Sequence, residues 1–169
     1  YWIIVMSLDL FFDPKSVAVV GASRQAGKVG HEIVVGLVGG GFPGDILPVN
    51  PNADEIEGLP CHPDLKSIGS TPDLVVIVVP PKFVPSVMKE CASVDVKAVI
   101  IITAGFKEVG TEGRKLEDEV IQIAKRARIR VVGPNCLGIM APGKKLNASF
   151  GGDLPAIGAV GYISQSGAL

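Results

Sequence analysis

A chain of 169 residues, 47% hydrophobic and 20% charged, is long enough for one full domain and part of a second, and too apolar for a disordered segment. Its net charge of −1 and its aromatic content of 5% argue against a nucleic-acid or anionic-membrane surface. Cys61, Cys91 and Cys136 are far apart and odd in number, with no CxxC or Cys/His ligand spacing, so no metal site is expected and free thiols in a reducing cytosol are.

The opening YWIIVMSL is apolar but too short to span a bilayer, and it has no basic flank or cleavage signal. Residues 1–12 are read as an N-terminal arm or leader. Residues 16–30, SVAVVGASRQAGKVG, then organise the chain. The apolar run Val17 to Val20 suits a buried parallel strand that stops at Gly21. A small and polar turn follows, and residues 29–38 are apolar over a helical length before Gly39, Gly40 and Gly41 end them. Strand, glycine-rich turn and helix in this order form a phosphate cradle. Glycines let backbone N–H groups approach an anion, and the helix N-terminus adds positive potential. Gly21, Gly27 and Gly30 fall together with Ser23 and Lys28, whose cation would stand in the first helical turn.

Residues 44–50 (GDILPVN) read as a second strand ending at Asn50-Pro51, and residues 55–65 as a polar connection with an irregular edge segment. The continuous apolar run at 73–79 (DLVVIVV) suits a strand buried on both faces, ended by Pro80-Pro81. Val84, Val87, Met88 and Cys91 then recur at helical spacing. Residues 96–103 (VKAVIIIT) are the next strand, and residues 111–128 an amphipathic helix with Leu116, Val120, Ile123, Ala124 and Ala127 on its apolar stripe. Lys125, Arg126 and Arg128 complement the end of its dipole. A fifth strand at 130–133 runs into Pro134-Asn135-Cys136. Residues 147–155 read as loop and a candidate domain boundary, 159–164 (AVGYIS) as another strand, and 165–169 as the opening of a helix.

This alternation implies βαβ units and an α/β fold: a Rossmann-like, doubly wound, mostly parallel sheet in three α/β/α layers. Ligands then bind outside the carboxyl ends of the strands, where every loop here is rich in Gly, Pro and small polar residues. A dinucleotide site would show GxGxxG and an acidic residue ending the second strand. Here the spacing is Gly21-x-Ser23-x-x-x-Gly27-x-x-Gly30, and the second strand ends in Asn50-Pro51. A ligand bearing its own phosphates and wanting no acidic ribose clamp fits better.

The ordered motifs GASRQAGKVG, Asn50-Pro51, VVPPKFV (78–84), IITAGF (101–106), GPNCLG (133–138) and ISQSGAL (163–169) resemble the coenzyme A-binding domain of ADP-forming acyl-CoA synthetases, relatives of the succinyl-CoA synthetase α subunit. The resemblance covers nearly everything from Leu10 to Leu169 and is close to the acetate–CoA ligase (ADP-forming) type. It implies roles position by position. Gly21, Ser23, Arg24, Gly27, Lys28 and Gly30 would hold the phosphates of CoA. Asn50, Pro51, Val79, Pro80 and Pro81 would flank its adenosine end, and Thr103, Ala104 and Gly105 its pantetheine arm. Pro134 and Asn135 would lie near the thioester. Ser164, Ser166 and Gly167 match the opening of a helix that holds phosphate beside a phosphorylated histidine, and the helix-dipole argument independently supports an anion there.

Residues 13–155 would be the CoA-binding domain and 156–169 the start of a flavodoxin-like ligase domain. The family's phosphorylated histidine lies further along than Leu169, so no catalytic residue is expected in this segment. His31 is expected as a helix-surface or packing residue, His62 as a solvated loop residue, and Cys136 as a small residue filling a turn. Mg2+ and ADP/ATP belong to the complete enzyme, as do a nucleotide-grasp domain or subunit and an oligomeric, cytoplasmic assembly. Two further readings stay open: a stand-alone CoA-binding or regulatory module, including part of a protein acetyltransferase fusion, and an NAD(P)-binding domain of a dehydrogenase.

Overall fold

A computed structural model describes residues 8–164 of the chain. In order they form α1 (Asp9–Phe12), β1 (Ser16–Val20), α2 (Val29–Gly39), β2 (Asp45–Val49), β3 (Glu55–Ile56), β4 (Leu59–Pro60), β5 (Leu74–Ile77), α3 (Val84–Ser93), β6 (Ala98–Ile101), α4 (Thr111–Ala127), β7 (Arg130–Val132), β8 (Gly138–Ala141) and β9 (Leu146–Ser149). Five strands make one parallel sheet in the order β2-β1-β5-β6-β7. The strand order reverses at β1, so the chain leaves β1 to one side and returns to the other. The connections that follow β1 and β5 therefore leave toward opposite sides of the sheet, and the switch point at these carboxyl ends is where such sheets take ligands.

The sheet is covered on both faces, as the Rossmann-like expectation requires. Successive strand side chains point to opposite faces. Val17, Val19, Leu74, Val76 and Ile100 meet Ile33, Val34 and Leu37 of α2, with Leu146 and Ala148 of β9. Ala18, Val20, Val75, Ile77, Val99 and Ile101 meet Val84, Met88 and Cys91 of α3 and Val120 and Ala124 of α4. Each of these branched side chains removed from water stabilises the fold by about 1.5–3 kcal/mol, which is why the strands read as unbroken apolar runs. One turn of helix in the N-terminal arm also joins the core, through Phe11 at 2% exposure. No helix among the described residues is long and apolar enough to cross a membrane.

The second half departs from expectation in two places. Residues 147–149, expected as loop, belong to β9, which pairs antiparallel with β8 and is buried along its whole length. The hairpin covers the face of the sheet that α2 leaves bare, and Gly36 makes room for it. A Cβ there would lie 3.0 Å from the Asn147 amide nitrogen. Residues 159–164, expected as a strand, form none. Val160 and Ile163 are 92% and 96% exposed, and apolar content alone supplies no neighbouring strand to bond with. His62 is also more than a solvated loop residue. Its backbone bridges to Val49 in parallel, donating to Pro48 O and accepting from Asn50 N, both at 2.9 Å, which extends the β2 edge.

Candidate functional site

The turn from β1 into α2 is built by glycines with different tasks. Gly21 takes φ +92°, and a Cβ on it would touch the Val78 backbone at 3.0 Å, so neither shape nor space admits a side chain. Its N–H donates to Val49 O at 3.0 Å, fastening the ends of β1 and β2. A Cβ on Gly30 would sit 2.1 Å from Gly21 O, so the first turn of α2 rests directly on the strand end. Gly27 has open space around it but takes φ +80°. Between these residues the loop stands out in solvent, with Arg24 and Lys28 exposed and Ser23 Oγ accepting from Gln25 N at 3.0 Å.

The neighbouring strand ends are tied to this turn in sequence. Asn50 donates from Nδ2 to Ala22 O at 2.7 Å and accepts at Oδ1 from Asn52 N at 2.8 Å. Arg24 reaches over to Asn52 O at 3.3 Å. Beyond β5, Thr103 Oγ1 donates to Val79 O at 2.7 Å. Gly105, at φ +105°, packs so closely that a Cβ would lie 2.8 Å from the Pro81 ring. Asn135 N donates to Thr103 O at 3.0 Å, after a cis peptide between Gly133 and Pro134. The result is a continuous ledge across the carboxyl ends of all five strands. Pro51, Pro80 and Ala104 lie exposed along it.

Sixteen expected positions from Gly21 to Asn135 lie on this ledge. Ser164 is described and lies on an exposed segment without regular secondary structure, and Ser166 and Gly167 lie outside the described residues. The ledge is an open surface. A hollow of about 450 Å³ lies between α2 and the segment after β9, with Glu32 in its wall.

Two carboxylates on the ledge escaped the sequence reading. Glu32 Oε1 accepts from Gly27 N at 2.9 Å and lies 3.3 Å from His31 Nδ1; the Gly27 amide and then the His31 ring hold its carboxyl below the ordinary range. His31 Nε2 lies 3.0 Å from Glu57 Oε1 on the β3–β4 turn, so the ring packs between two acids. Glu108 Oε1 accepts from Gly105 N at 2.6 Å. Burial works to raise the Glu108 carboxyl, but the amides of Gly105, Glu108 and Phe106, with the Lys107 charge, outweigh it and leave it lowered. The signal was an acidic residue a few positions after a glycine turn, a common anchor for free loop amides.

Cys136 fills a turn as expected. Its thiol lies 3.4 Å from Ile101 O, and burial pushes it up and away from nucleophilic use. Among the described residues, no three His, Cys, Asp or Glu side chains gather to hold a metal ion.

Residues 15–142 match the CoA binding domain family. The chain is 49% identical over 156 residues to acetate–CoA ligase [ADP-forming] of Methanocaldococcus jannaschii, covering 92% of this chain and 22% of that protein. It is 44% identical over 168 residues to acetate–CoA ligase [ADP-forming] I subunit alpha of Pyrococcus furiosus, covering 97% and 36%. The dinucleotide-forming acetyl-coenzyme A synthetase 1 of Ca. Korarchaeum cryptofilum, solved in complex with phosphate and ADP, superposes with a TM-score of 0.82 at 41% identity, covering 87% of this chain and 31% of that one. The chain thus spans between about a fifth and a third of the length of these relatives. The match over residues 15–142 takes in the whole five-stranded sheet and agrees with these identities: the chain belongs to the CoA-binding domain family.

Proposed function

We propose that the ledge is the CoA site, and that the chain supplies CoA binding to an ADP-forming acyl-CoA synthetase, with acetyl-CoA as the leading substrate. The phosphates of CoA lie against the loop from Gly21 to Gly30. The adenosine end lies between Asn50-Pro51 and Val79-Pro80-Pro81, and the pantetheine arm follows Thr103, Ala104 and Gly105 toward Pro134 and Asn135. The observation that carries this reading is the unbroken series of contacts joining the five strand ends, which makes one extended track for a long, flexible ligand.

In the whole reaction, phosphate attacks the thioester carbonyl, releasing CoA thiol and forming acyl phosphate. A histidine outside this chain then takes the phosphoryl group, freeing the acid, and passes it to ADP. The residues of this chain bind and orient CoA and hold its thiol end where that exchange occurs. His31, braced by Glu32 and Glu57, and His62, whose backbone is part of the β2 edge, take no part in phosphoryl transfer. Mg2+ and the nucleotide act in a nucleotide-grasp domain or subunit. The division at residues 13–155, with 156–169 leading into the next domain, is supported by the change from a packed hairpin to an exposed segment after Ser149.

Calorimetric titration of the chain with CoA, dephospho-CoA and NADH tests the assignment. Saturable CoA binding that weakens without the 3′-phosphate supports it. NADH binding in the absence of CoA binding replaces it with a dinucleotide site.

A further inference from the structure

One donor of the glycine loop is already taken. Glu32 folds back from the first turns of α2 so that its Oε1 accepts the Gly27 N–H at 2.9 Å. The same oxygen lies against the His31 ring, which is anchored in turn to Glu57. The Glu32 side chain is 46% exposed, so it can swing into water without opening the core. A backbone amide has a single hydrogen to give. A phosphate oxygen and the Glu32 carboxylate therefore cannot both take it.

We propose that Glu32 is an internal competitor for the phosphate-binding amide of Gly27, which lowers the affinity of the ledge for CoA until the ligand displaces it. This rests on reading the loop from Gly21 to Gly30 as the phosphate site. The carboxylate sits where an anion is favoured by the helix N-terminus and by a glycine amide, so it satisfies the empty loop. When CoA enters, the same negative charge beside the diphosphate is repulsive. Glu32 is thus an affinity-setting residue, and its neighbours His31 and Glu57 hold it in the competing position. The bland role for the same contact is helix capping, which satisfies an orphan N–H and has no bearing on ligand.

The two roles separate in Glu32→Gln, which keeps an oxygen acceptor for Gly27 and loses the charge. Calorimetry with CoA at low salt is expected to show binding tighter by about two- to fivefold, the range for exposed charges. The gain should shrink toward unity in about 1 M salt, where the screening length falls to roughly 3 Å. Equal or weaker CoA binding by a variant with unchanged melting temperature overturns the proposal and leaves Glu32 a cap. Failure of the unmutated chain to bind CoA removes the phosphate site and the proposal together, and is seen before any variant is made. Should the variant not fold, the Glu32 carboxyl carbon is followed by NMR in the unmutated chain. A shift on CoA addition, together with the Gly27 amide, supports displacement; a carboxyl signal unmoved at saturating CoA refutes it.

Discussion

Gly30 and Gly27 sit three residues apart in one motif, yet the structure gives them different physical reasons to be glycine. Their replacement by alanine should therefore separate the two. A Cβ on Gly30 would fall 2.1 Å from Gly21 O and 2.9 Å from Gly21 C. That is about 1 Å closer than a carbon and an oxygen tolerate, and the obstacle is backbone, which cannot rotate aside. Helix α2 must lift from the end of β1, loosening Ile33 and Val34, both fully buried. Overpacking of this kind costs about 1–3 kcal/mol, and the backbone obstacle puts Gly30→Ala at the upper end. For a chain of this length about 3 kcal/mol corresponds to a fall of roughly 6–12 °C in Tm. Gly27→Ala meets no atom within 4 Å and is penalised only by its φ of +80°, about 1–2 kcal/mol. Differential scanning calorimetry of both variants should give Gly30→Ala the larger loss, and titration with CoA should show it impaired as well, since the helix N-terminus has moved. A Gly30→Ala variant that melts with the unmutated protein, or above Gly27→Ala, would refute the close-approach argument.

Three further outcomes are expected. Ile100→Ala, at a fully buried position in the interior strand β6, should cost about 2–5 kcal/mol, read as a lowered urea midpoint; an unchanged midpoint would place Ile100 outside the core. Glu108 has its carboxyl lowered from 4.5 in the folded chain, so its contribution is complete above that value and disappears as pH falls through the folded value. The gap in melting temperature between the unmutated protein and Glu108→Gln should accordingly be present near neutrality and shrink progressively as the pH falls below 4.5, and a gap independent of pH would count against the Gly105 anchor. Cys91 is buried and its thiol is pushed up to about 12, whereas Cys61 and Cys136 are half-buried. Ellman's reagent at about pH 8 should label Cys61 first, Cys136 more slowly because burial holds its thiol up, and Cys91 only on unfolding; equal rates for all three would contradict the packing of α3.

The sheet was legible because each central strand is buried on both faces and so announces itself without reference to any neighbour. Residues 74–77 and 98–101 are apolar at every position, and Pro80 and Gly105 mark where they stop. The glycine turn was legible in part for a similar reason, since Gly30 rests on Gly21 nine residues earlier, although the Val78 backbone that also crowds Gly21 lies far along the chain. The β8–β9 hairpin was not. Asn147 and Ser149 are polar residues that end up 2% and 5% exposed, because β9 packs on α2, a helix more than a hundred residues earlier, where Gly36 makes room for Asn147. The strand expected at 159–164 failed in the opposite direction: it has the composition of a strand, yet forms no strand. Glu32 and Glu108 were missed because local pattern marks them as helix-entry charges, and only the folded loop shows which amides they take.

The ledge also explains why its sequence is so poor in charged or aromatic side chains. Asn50 and Thr103, the polar residues at its strand ends, spend their hydrogen bonds on other parts of the chain: Asn50 on Ala22 and Asn52, Thr103 on Val79. They position the loops and have little left to offer a ligand. What faces outward is backbone, proline rings and small side chains, with Arg24 and Lys28 as the cations of the glycine loop. A surface of this kind accepts a long ligand by shape and by amide donors, and a single methyl group at Gly21, Gly30 or Gly105 would meet protein before it met ligand. If the ledge is the CoA site proposed above, recognition on it is inseparable from the packing of the loops on one another. Substitutions there should lower stability and CoA affinity together, whereas a change confined to charge, as at Glu32, should move affinity alone.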